Sequence, residues 1–485
     1  MEKNQEFIDG HSIEECRMKN LTIENIAKAC EGKLVANNQD IKKEVTGAVI
    51  DSRQVKKDFL FIPIKGARVD GHDFIPQVIK QGACVVLSER ELDISDCAYI
   101  LVEKTTEAMK KIAEFYREQL DIKIVGITGS VGKTSTKEMI SSVLSQKYEV
   151  LKTAGNFNNE IGLPLTIFNI HRWHEIAVLE MGISDFDEMN RLSTMSKPDI
   201  QVITNIGVCH LENLKTRDGI LKAKTECFDH MSKDGVVILN GDDDKLCTKK
   251  IVNGKNSIFY GIDKEAKKAE NGELMAEKSI YATDVKNEGF EGILTKVHTN
   301  EGTFEARISI PGEHNVYNAL AATAVGLEAG LNIDEIKKGV ESAKTIAGRT
   351  NFIKVNGMTV IDDCYNANPA SMQTALEILS HATGRSVAIL GDMGELGEDE
   401  VHLHEIVGES VAKNNIDVLF ATGKLAKNYA KKATELNEKC DVHYNEKLEE
   451  LLKELDAFVK KGDTILVKAS HFMEFPKVVD MLKNK

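Results

Sequence analysis

Apolar positions recur along the chain with helical and strand periods, in an order that predicts three α/β units. From Leu21 the run LTIENIAKACEGKLV has helical spacing, and short apolar runs between Val45 and Glu89 indicate strands around a helix in FIPQVIKQG. These elements predict a small N-terminal α/β domain over residues 18–118. Residues 1–17 show neither period, so we expect a disordered extension there.

Two longer series of elements follow. A helical segment at 105–120 leads to the apolar run IKIVGIT, and then to IAVLEMG, IQVITNIG and GVVILNGDD, which alternate with helical patterns. Continuous apolar runs of this kind favour a parallel sheet covered on both faces. The runs MTVIDDC, SVAILGD, IDVLFATG and DTILVKAS form a second such series. We therefore predict a central parallel-sheet domain at 119–345 and a Rossmann-like domain at 346–485.

Composition narrows the class of protein. The 485 residues, 42% hydrophobic and 28% charged, suit a soluble chain of about three domains. A net charge of -14 lacks the positive field that nucleic-acid binding uses, so we expect no nucleic-acid partner. The apolar runs are all shorter than about 18 residues and the first residues are charged, which predicts a cytoplasmic protein without membrane insertion. Nine scattered cysteines without a Cys-x-x-Cys pair predict reduced thiols.

The stretch GITGSVGKTST at 126–136 follows a predicted strand and opens a predicted helix, the order that a phosphate-binding loop requires. Ile127 stands where the commonest form of this loop has glycine. Lys133 would reach the β- and γ-phosphates, and Thr134 would ligate Mg²⁺. The alternative is a glycine-rich turn with a surface lysine. The candidates for ATP binding in this loop are Gly129, Ser130, Val131, Gly132, Lys133, Thr134 and Ser135.

Further polar residues follow the predicted strands. Glu180 ends the run IAVLE, where open parallel sheets place ligand-contacting groups, and a carboxylate there could hold Mg²⁺. His210 follows the next strand in TNIGVCHLE. Each of them alone would more often be a capping or surface residue than a ligand. Lys224, in KAKTECF, is on composition alone a solvated helix lysine.

Two polar clusters remain. The run PGEHNVYNALAA places His314, Asn315 and Asn318 at a helix start, where asparagine is commonly a cap and could instead bind an adenine edge. The run IDDCYNANP at 361–369 places two carboxylates, a tyrosine and two asparagines directly after a strand. A turn requires fewer polar groups, so this second cluster indicates a binding site.

These motifs occur together in one order: GITGSVGKTST, NFNNEIGLP, LEMG, TNIGVCHLE, AKTE, GEHNVYNALAA, GRT and DDCYNANP. Over residues 20–480 the chain resembles the Mur ligases, whose phosphate loop has a shorter Thr-Gly-x-x-Gly-Lys-Thr core, so Ile127 is a family variant. NFNNEIGLPL, DDCYNANPASM and LGDMGELG resemble the branch that joins D-alanyl-D-alanine to UDP-N-acetylmuramoyl-tripeptide. The resemblance implies a three-domain α/β ligase of peptidoglycan synthesis. In such a ligase ATP phosphorylates the tripeptide carboxylate, and D-Ala-D-Ala then attacks the acyl phosphate.

The resemblance also implies roles at the central site. Lys133 would act in catalysis together with two Mg²⁺ ions. Thr134 and Glu180 fall on the ion nearer the nucleotide, and His210 and Lys224 fall on a second ion near the acyl group. The lysine that matches Lys224 is carbamylated in this family, which converts a cation into a carboxylate that a hard metal accepts.

By similarity, Asn315 lies against the adenine with Asn318 nearby, and Arg349 and Asp363 reach the phosphates and ribose after domain closure. The first domain resembles a uridine-diphosphate-binding module. His404 fits the family pattern, but it could equally be a helix-surface histidine. The implied substrate-binding residues are Ser52, Arg53, Lys65, Gly66, Asn158, Asn159, Tyr365, Asn366 and Asn368.

Near the C-terminus the family usually has Lys-Gly-Ser-Arg, whereas this chain has Lys468, Ala469, Ser470 and His471. Alanine disfavours the positive φ that glycine allows, and histidine lacks the arginine fork, so we assign this strand end no role in D-Ala-D-Ala binding. Two alternative functions remain. One is a sibling ligase that adds the third amino acid, and the other is a regulatory ATPase. We expect a monomer, and the sequence leaves open whether the tripeptide ends in lysine or diaminopimelate.

Overall fold

Three large β-sheets, each built from a separate stretch of the chain, organise the protein. The structure is a computed structural model, which describes residues 7–8, 11–263 and 277–485. The sheets lie within 33–101, 123–308 and 351–468. The predicted α/β class with three sheet-containing regions is therefore confirmed, while the exact domain limits stay predictions.

The N-terminal region carries a five-stranded sheet in the order β3-β7-β6-β5-β4, in which only the edge strand β3 is antiparallel to its neighbour. Thr22 caps the helix α2, and Gly82 ends the helix α3 in the left-handed conformation that glycine adopts at low cost. The elements are β1 (Phe7–Ile8), β2 (His11–Ser12), α1 (Ile13–Cys16), α2 (Ile23–Ala29), β3 (Lys33–Val35), β4 (Gly47–Val49), β5 (Phe59–Phe61), α3 (Ile75–Gln81), β6 (Val85–Ser88) and β7 (Ala98–Leu101).

The predicted disordered extension at 1–17 needs a correction. Its residues 1–6 and 9–10 lie outside the described residues, but α1 forms one helical turn that begins with a capping box between Ser12 and Glu15. Cys16 is buried, and Arg17 donates a hydrogen bond to the Glu44 carbonyl. Ordered structure therefore starts before residue 18, because this short turn is held by its cap and by contacts with the first domain.

The central region carries a nine-stranded sheet in the order β18-β17-β16-β15-β12-β11-β8-β10-β9. All its strands run in one direction except β17, which pairs antiparallel with both β16 and β18. The apolar pattern did not predict the four strands β15–β18. The elements are α4 (Thr105–Gln119), β8 (Lys123–Thr128), α5 (Lys133–Leu144), β9 (Val150–Lys152), α6 (Gly162–Phe168), β10 (Ile176–Glu180), α7 (Glu188–Ser196), β11 (Ile200–Ile203), α8 (Leu211–Leu214), α9 (Arg217–Thr225), β12 (Val236–Asn240), β13 (Ile251–Val252), β14 (Lys255–Asn256), β15 (Ile258–Ile262), β16 (Ile280–Asn287), β17 (Ile293–His298), β18 (Thr303–Ile308), α10 (His314–Glu328) and α11 (Ile333–Ser342).

The C-terminal region carries a six-stranded sheet in the order β19-β20-β24-β21-β22-β23, parallel except for β19. Its central strands are buried along their whole length, which explains their continuous apolar runs. The elements are β19 (Asn351–Val355), β20 (Met358–Asp362), α12 (Pro369–Ser380), β21 (Ser386–Gly391), α13 (Glu400–Lys413), β22 (Val418–Thr422), α14 (Lys427–Leu436), β23 (Asp441–Asn445), α15 (Leu448–Phe458), β24 (Thr464–Lys468) and α16 (Pro476–Asn484).

Strand order decides which loops meet. In the central sheet β8 pairs with β10 on one side and with β11 on the other, all in parallel. The segments that leave the carboxyl ends of these three strands therefore lie at one edge of the sheet, where open α/β sheets bind ligands. Among the described residues, none of the helices has the length and apolar character that a membrane span requires.

Candidate nucleotide and ligation site

The glycine-rich loop joins β8 to α5 and is held by the neighbouring strand end. Gly129 has φ 151°, and a Cβ atom on it would lie 1.9 Å from the Thr204 hydroxyl oxygen, so this position excludes any side chain. The Ser130 N–H donates to the Asn205 carbonyl at 3.1 Å, and Thr204 Oγ1 donates to the Val131 carbonyl at 2.6 Å. Hydrogen bonds to the end of the neighbouring strand therefore fix the backbone of the loop.

Lys133 is the first residue of α5, and its Nζ donates to the Gly129 carbonyl at 2.8 Å, across its own loop. Burial lowers the pKa of Lys133, and the nearby Glu180 opposes that shift. A poorly solvated ammonium beside the N-terminus of a twelve-residue helix is suited to receive an anion.

Glu180 ends β10 directly beside the loop. Its Oε1 accepts from Thr134 Oγ1 at 3.2 Å and from Asn158 Nδ2 at 2.9 Å, while Lys137 Nζ lies 3.8 Å from Oε2. The carboxylate is almost fully buried, and Oε2 has no hydrogen-bond partner among the described residues. An orphaned buried carboxylate oxygen next to a threonine hydroxyl fits a divalent cation.

Mg²⁺ commonly uses one or two carboxylates and completes its shell with waters and substrate phosphates. The described part of the chain has no group of three or more His, Cys, Asp or Glu side chains arranged to hold a metal.

His210 and Lys224 lie on the next segments. His210 precedes α8 in a left-handed backbone conformation, with φ 50°, and its Nδ1 lies 2.8 Å from Glu395 Oε2 in the C-terminal region. Lys224 is on α9 and is only 1% exposed. Its burial, with a smaller contribution from Lys133, lowers the pKa of Lys224 to about 8. The expectation from composition of a solvated lysine is therefore wrong, because the helix turns this position into the core.

A cavity of about 360 Å³ opens between the central and C-terminal regions at this sheet edge. From the predicted nucleotide set, Val131, Gly132, Ser135, Asn318, Arg349 and Asp363 line it. The sequence reasoning missed other lining residues, although several end a strand or begin a helix. They include Thr204, Asn205, Asn240, Tyr260 and Tyr317, whereas His314 and Lys468, which also line the cavity, belong to motifs that the sequence analysis singled out.

The asparagines of α10 are linked to the loop helix. Asn318 Oδ1 accepts from Thr136 Oγ1 at 2.8 Å, and Asn318 Nδ2 donates to Asn315 Oδ1 at 2.9 Å. Asn315 in turn donates to the Pro311 carbonyl and lines a smaller neighbouring cavity rather than the main one. Asn318 therefore faces the nucleotide-sized space, and adenine binding by Asn315 stays a prediction.

The C-terminal side of the cavity carries two cationic side chains, Arg349 and Lys468, which contact neighbouring residues. The Arg349 guanidinium lies 4.1 Å from the centre of the Tyr365 ring, and its buried Nε has no hydrogen-bond partner among the described residues. Lys468 Nζ pairs with Asp363 Oδ2 at 2.6 Å and also donates to the Asn366 carbonyl at 3.0 Å. The last strand, β24, thus holds the loop after β20 against the cavity.

Comparison with known proteins decides the family. The chain matches the "Mur ligase family, catalytic domain" over 44–126, the "Mur ligase middle domain" over 127–326 and the "Mur ligase, glutamate ligase domain" over 348–471. A Bacillus subtilis protein named UDP-N-acetylmuramoyl-tripeptide--D-alanyl-D-alanine ligase is 38% identical over 94% of this chain and 97% of that protein. The chain belongs to the Mur ligase family.

Solved structures of Mur ligases are similar over nearly the whole chain. A crystal structure of MurF from Acinetobacter baumannii, 31% identical, covers 97% of this chain and 100% of its own, with a TM-score of 0.84. The MurF ligase of Thermotoga maritima in complex with ADP is also 31% identical and covers 90% of this chain and 97% of its own, with a TM-score of 0.76.

In the N-terminal region of this Mur ligase, the predicted uridine-diphosphate residues lie in two loops that follow the parallel neighbours β4 and β5. Arg53 pairs with Asp51 at 2.6 Å while its side chain stays 85% exposed, and this pairing lowers the pKa of Asp51 to about 2. Ser52 is buried, whereas Lys65 and Gly66 lie in an exposed turn. The two loops share one sheet edge, which the spacing in sequence alone did not reveal.

Some residues that were predicted to bind substrate make hydrogen bonds within the Mur ligase itself. Asn368 caps α12 by accepting the Ser371 N–H, and Asn159 accepts the N–H groups of Ile161 and Gly162 ahead of α6. Asn158 instead reaches Glu180, as described above. Their roles in substrate binding stay predictions.

His404 is not a helix-surface histidine. It is fully buried on α13, where Nδ1 faces the Glu400 carbonyl at 2.6 Å and Nε2 accepts the Met393 N–H at 3.1 Å. Burial lowers the pKa of His404. The His404 ring holds the loop GDMGELG in place through its hydrogen bond with the Met393 N–H.

The replacement of the family glycine by Ala469 causes no backbone conflict. Ala469 is fully buried and does not have a positive φ. His471 lies with its ring centre 5.8 Å from that of Tyr365. The expected strain at Ala469 is therefore wrong, because this position does not require the positive φ that alanine disfavours.

Proposed function

We propose that this Mur ligase joins D-alanyl-D-alanine to UDP-N-acetylmuramoyl-tripeptide in an ATP-dependent reaction of peptidoglycan synthesis. The products are UDP-N-acetylmuramoyl-pentapeptide, ADP and phosphate. The proposal rests chiefly on one observation. The glycine-rich loop, with Thr134 hydrogen-bonded to the buried Glu180 carboxylate, lies beside a cavity lined by both the central and C-terminal domains.

The chemistry follows from the substrate. A carboxylate is a poor acyl donor until one of its oxygens becomes a phosphate leaving group, so the γ-phosphoryl group of ATP is first transferred to the tripeptide carboxylate. The D-Ala-D-Ala amine then attacks the acyl carbon, the C–N bond forms, and phosphate leaves. Lys133 and the backbone N–H groups of the loop stabilise the charge on the transferred group.

Metal binding is part of the proposal. Thr134 and Glu180 would hold a Mg²⁺ ion on the nucleotide side, and His210 with Lys224 would hold a second ion near the acyl group. Bound Mg²⁺ supplies charge neutralisation at the phosphates. Carbamylation of Lys224 would give the second ion a carboxylate, and the lowered pKa of Lys224, about 8, supports this because only a neutral amine reacts with CO₂.

Substrate placement completes the proposal. Ser52, Arg53, Lys65 and Gly66 would bind the uridine diphosphate, and Arg349 with Asp363 would contact the nucleotide from the C-terminal domain. Asn158, Asn159, Tyr365, Asn366 and Asn368 would face the peptide substrates. We propose that the enzyme is a monomer and that it acts in the cytoplasm, where ATP and both small-molecule substrates are available.

The test measures phosphate release from ATP with Mg²⁺ and either substrate alone, and then with both together. We expect release only with both, together with a pentapeptide product of matching mass. Lys133→Ala should abolish release, whereas Lys123→Ala, an exposed position on the same strand-loop-helix unit, should leave it unchanged. Release that ignores both substrates would favour a regulatory ATPase, and product formed with a single amino acid would favour the sibling ligase.

A further inference from the structure

The GDMGELG loop at 391–397 contacts the candidate site from the C-terminal domain through one side chain. Glu395 Oε2 lies 2.8 Å from His210 Nδ1, although the two residues are 185 positions apart in the chain. The other ring nitrogen, Nε2, has no hydrogen bond to any described residue. His210 Nδ1 is therefore within ion-pair distance of a carboxylate from the C-terminal domain, whereas Nε2 has no polar partner among the described residues.

The contact is made by two residues whose backbones are both left-handed. His210 has φ 50° and Glu395 has φ 60°. Non-glycine residues hold this conformation only where their surroundings impose it, and such residues concentrate at functional sites. The two constrained residues meet each other across the cleft between the domains.

The loop presents Glu395 rigidly. Met393 and Leu396 on either side of it are buried, at 1% and 5% exposure. The Met393 N–H is held by the buried His404, and the Gly394 N–H donates to Ser470 Oγ at 3.0 Å. Glu395 itself is the exposed member of this anchored loop, and its side chain is directed at α8 by a backbone fixed on both sides.

We propose that Glu395 is a positioning residue for His210, through which the C-terminal domain completes the ligation site; this rests on the proposed function. A carboxylate that accepts the Nδ1–H of a histidine fixes the ring orientation and keeps the proton on that nitrogen. The Nε2 lone pair is then available to a ligand. Because Glu395 belongs to the other domain, His210 is oriented only when the domains are together.

A simple surface ion pair would predict something different. The Glu395 side chain is 64% exposed, and exposed pairs contribute little to stability. Losing Glu395 should therefore leave the thermal unfolding midpoint nearly unchanged while it disturbs His210. A simple surface ion pair would leave both the unfolding midpoint and the His210 ring unchanged, so the change at His210 distinguishes the two interpretations.

The experiment compares Glu395→Ala and Glu395→Gln with Glu398→Gln, an exposed carboxylate in the turn that directly follows the loop, for which the described residues show no ion pair with His210. The first readout is the tautomer of His210 in the full chain without nucleotide or metal, from ¹⁵N spectra of histidine-labelled protein assigned with a His210→Asn variant. The second is kcat and KM for ATP in the ligation assay. Outer-shell partners of metal-binding histidines typically contribute about 10- to 100-fold.

We expect Nδ1-protonated His210 in the wild type, a mixed tautomer in Glu395→Ala, and a kcat lower by about 10- to 100-fold with an unchanged KM for ATP. Glu395→Gln keeps an acceptor oxygen, so its kcat should lie between those of the wild type and Glu395→Ala. Glu398→Gln should have the kcat and the His210 tautomer of the wild type. A Glu395→Ala enzyme within twofold of wild-type kcat, or an activity loss without any change of tautomer, would overturn the proposal. If the wild type forms no product, the proposed function fails, and the tautomer measurement still decides the His210–Glu395 contact.

Discussion

Lys224 is the residue whose environment differs most from what its type suggests, and it allows a quantitative prediction. Burial lowers its pKa from 10.5 to about 8. At pH 7.5 an amine with a pKa of about 8 is about 25% neutral, whereas an ordinary lysine is only about 0.1% neutral. The fold therefore increases the reactive fraction by about 200-fold, which corresponds to roughly 3 kcal/mol.

We predict that activity depends on dissolved CO₂. The neutral nitrogen attacks the carbon of CO₂, a proton is released, and the resulting carbamate carries a negative charge. Enzyme prepared in CO₂-depleted buffer should release phosphate at least tenfold more slowly with both substrates than enzyme supplied with bicarbonate. At constant dissolved CO₂, the restored activity should rise with pH up to about 8 and then level off, because protonated Lys224 is exhausted there.

Substitutions make the test specific to this side chain. Lys224→Ala should lose activity by about 100-fold or more, as for other groups that stabilise developing charge, and acetate or formate should restore part of it. Lys222→Ala, an exposed lysine on the same helix, should keep wild-type activity and the same CO₂ dependence. Full activity of Lys224→Ala, or activity that ignores CO₂ at every pH, would refute this reasoning.

Three further predictions follow from single sites. Gly129→Ala should abolish ATP binding in calorimetry because its Cβ would meet Thr204 Oγ1 at 1.9 Å, and unchanged binding would contradict the loop geometry. Lys468→Met should destabilise the protein by about 3–5 kcal/mol because it leaves buried Asp363 unpaired, and Asp363→Asn in the same chain should recover much of this in urea unfolding. Burial lowers the pKa of His314 from 6.5 to about 4, so the unfolded chain binds more protons between these values and stability falls as pH drops through that window. His314→Gln should reduce the loss of unfolding free energy at acid pH by up to about 3 kcal/mol. A variant whose unfolding midpoint depends on pH as in the wild type would contradict this prediction.

Much of the fold was predictable because its signals are local. Buried parallel strands are continuous apolar runs, and the helix that follows a phosphate loop is amphipathic, so β8, β10 and β11 were found from short windows of sequence. The short edge strand β9 and the strands β15–β18 were not, since their alternating or mixed patterns carry a weaker signal.

The family could also be recognised from the sequence alone. A phosphate loop needs a fixed spacing of glycines and lysine because the backbone itself binds the phosphate, so the motif survives as a string of letters. Several such strings in one order identified a Mur ligase without knowledge of any side-chain contact.

Only the tertiary structure decided what individual polar side chains do. Nothing near Lys224 in sequence indicates that it is buried, and nothing near His404 shows that it supports a loop from inside the core. The orphaned oxygen of Glu180 and the meeting of His210 with Glu395 depend on contacts between distant segments. Burial and pairing are properties of what packs around a group, and because those neighbours come from other parts of the chain, no local pattern encodes them.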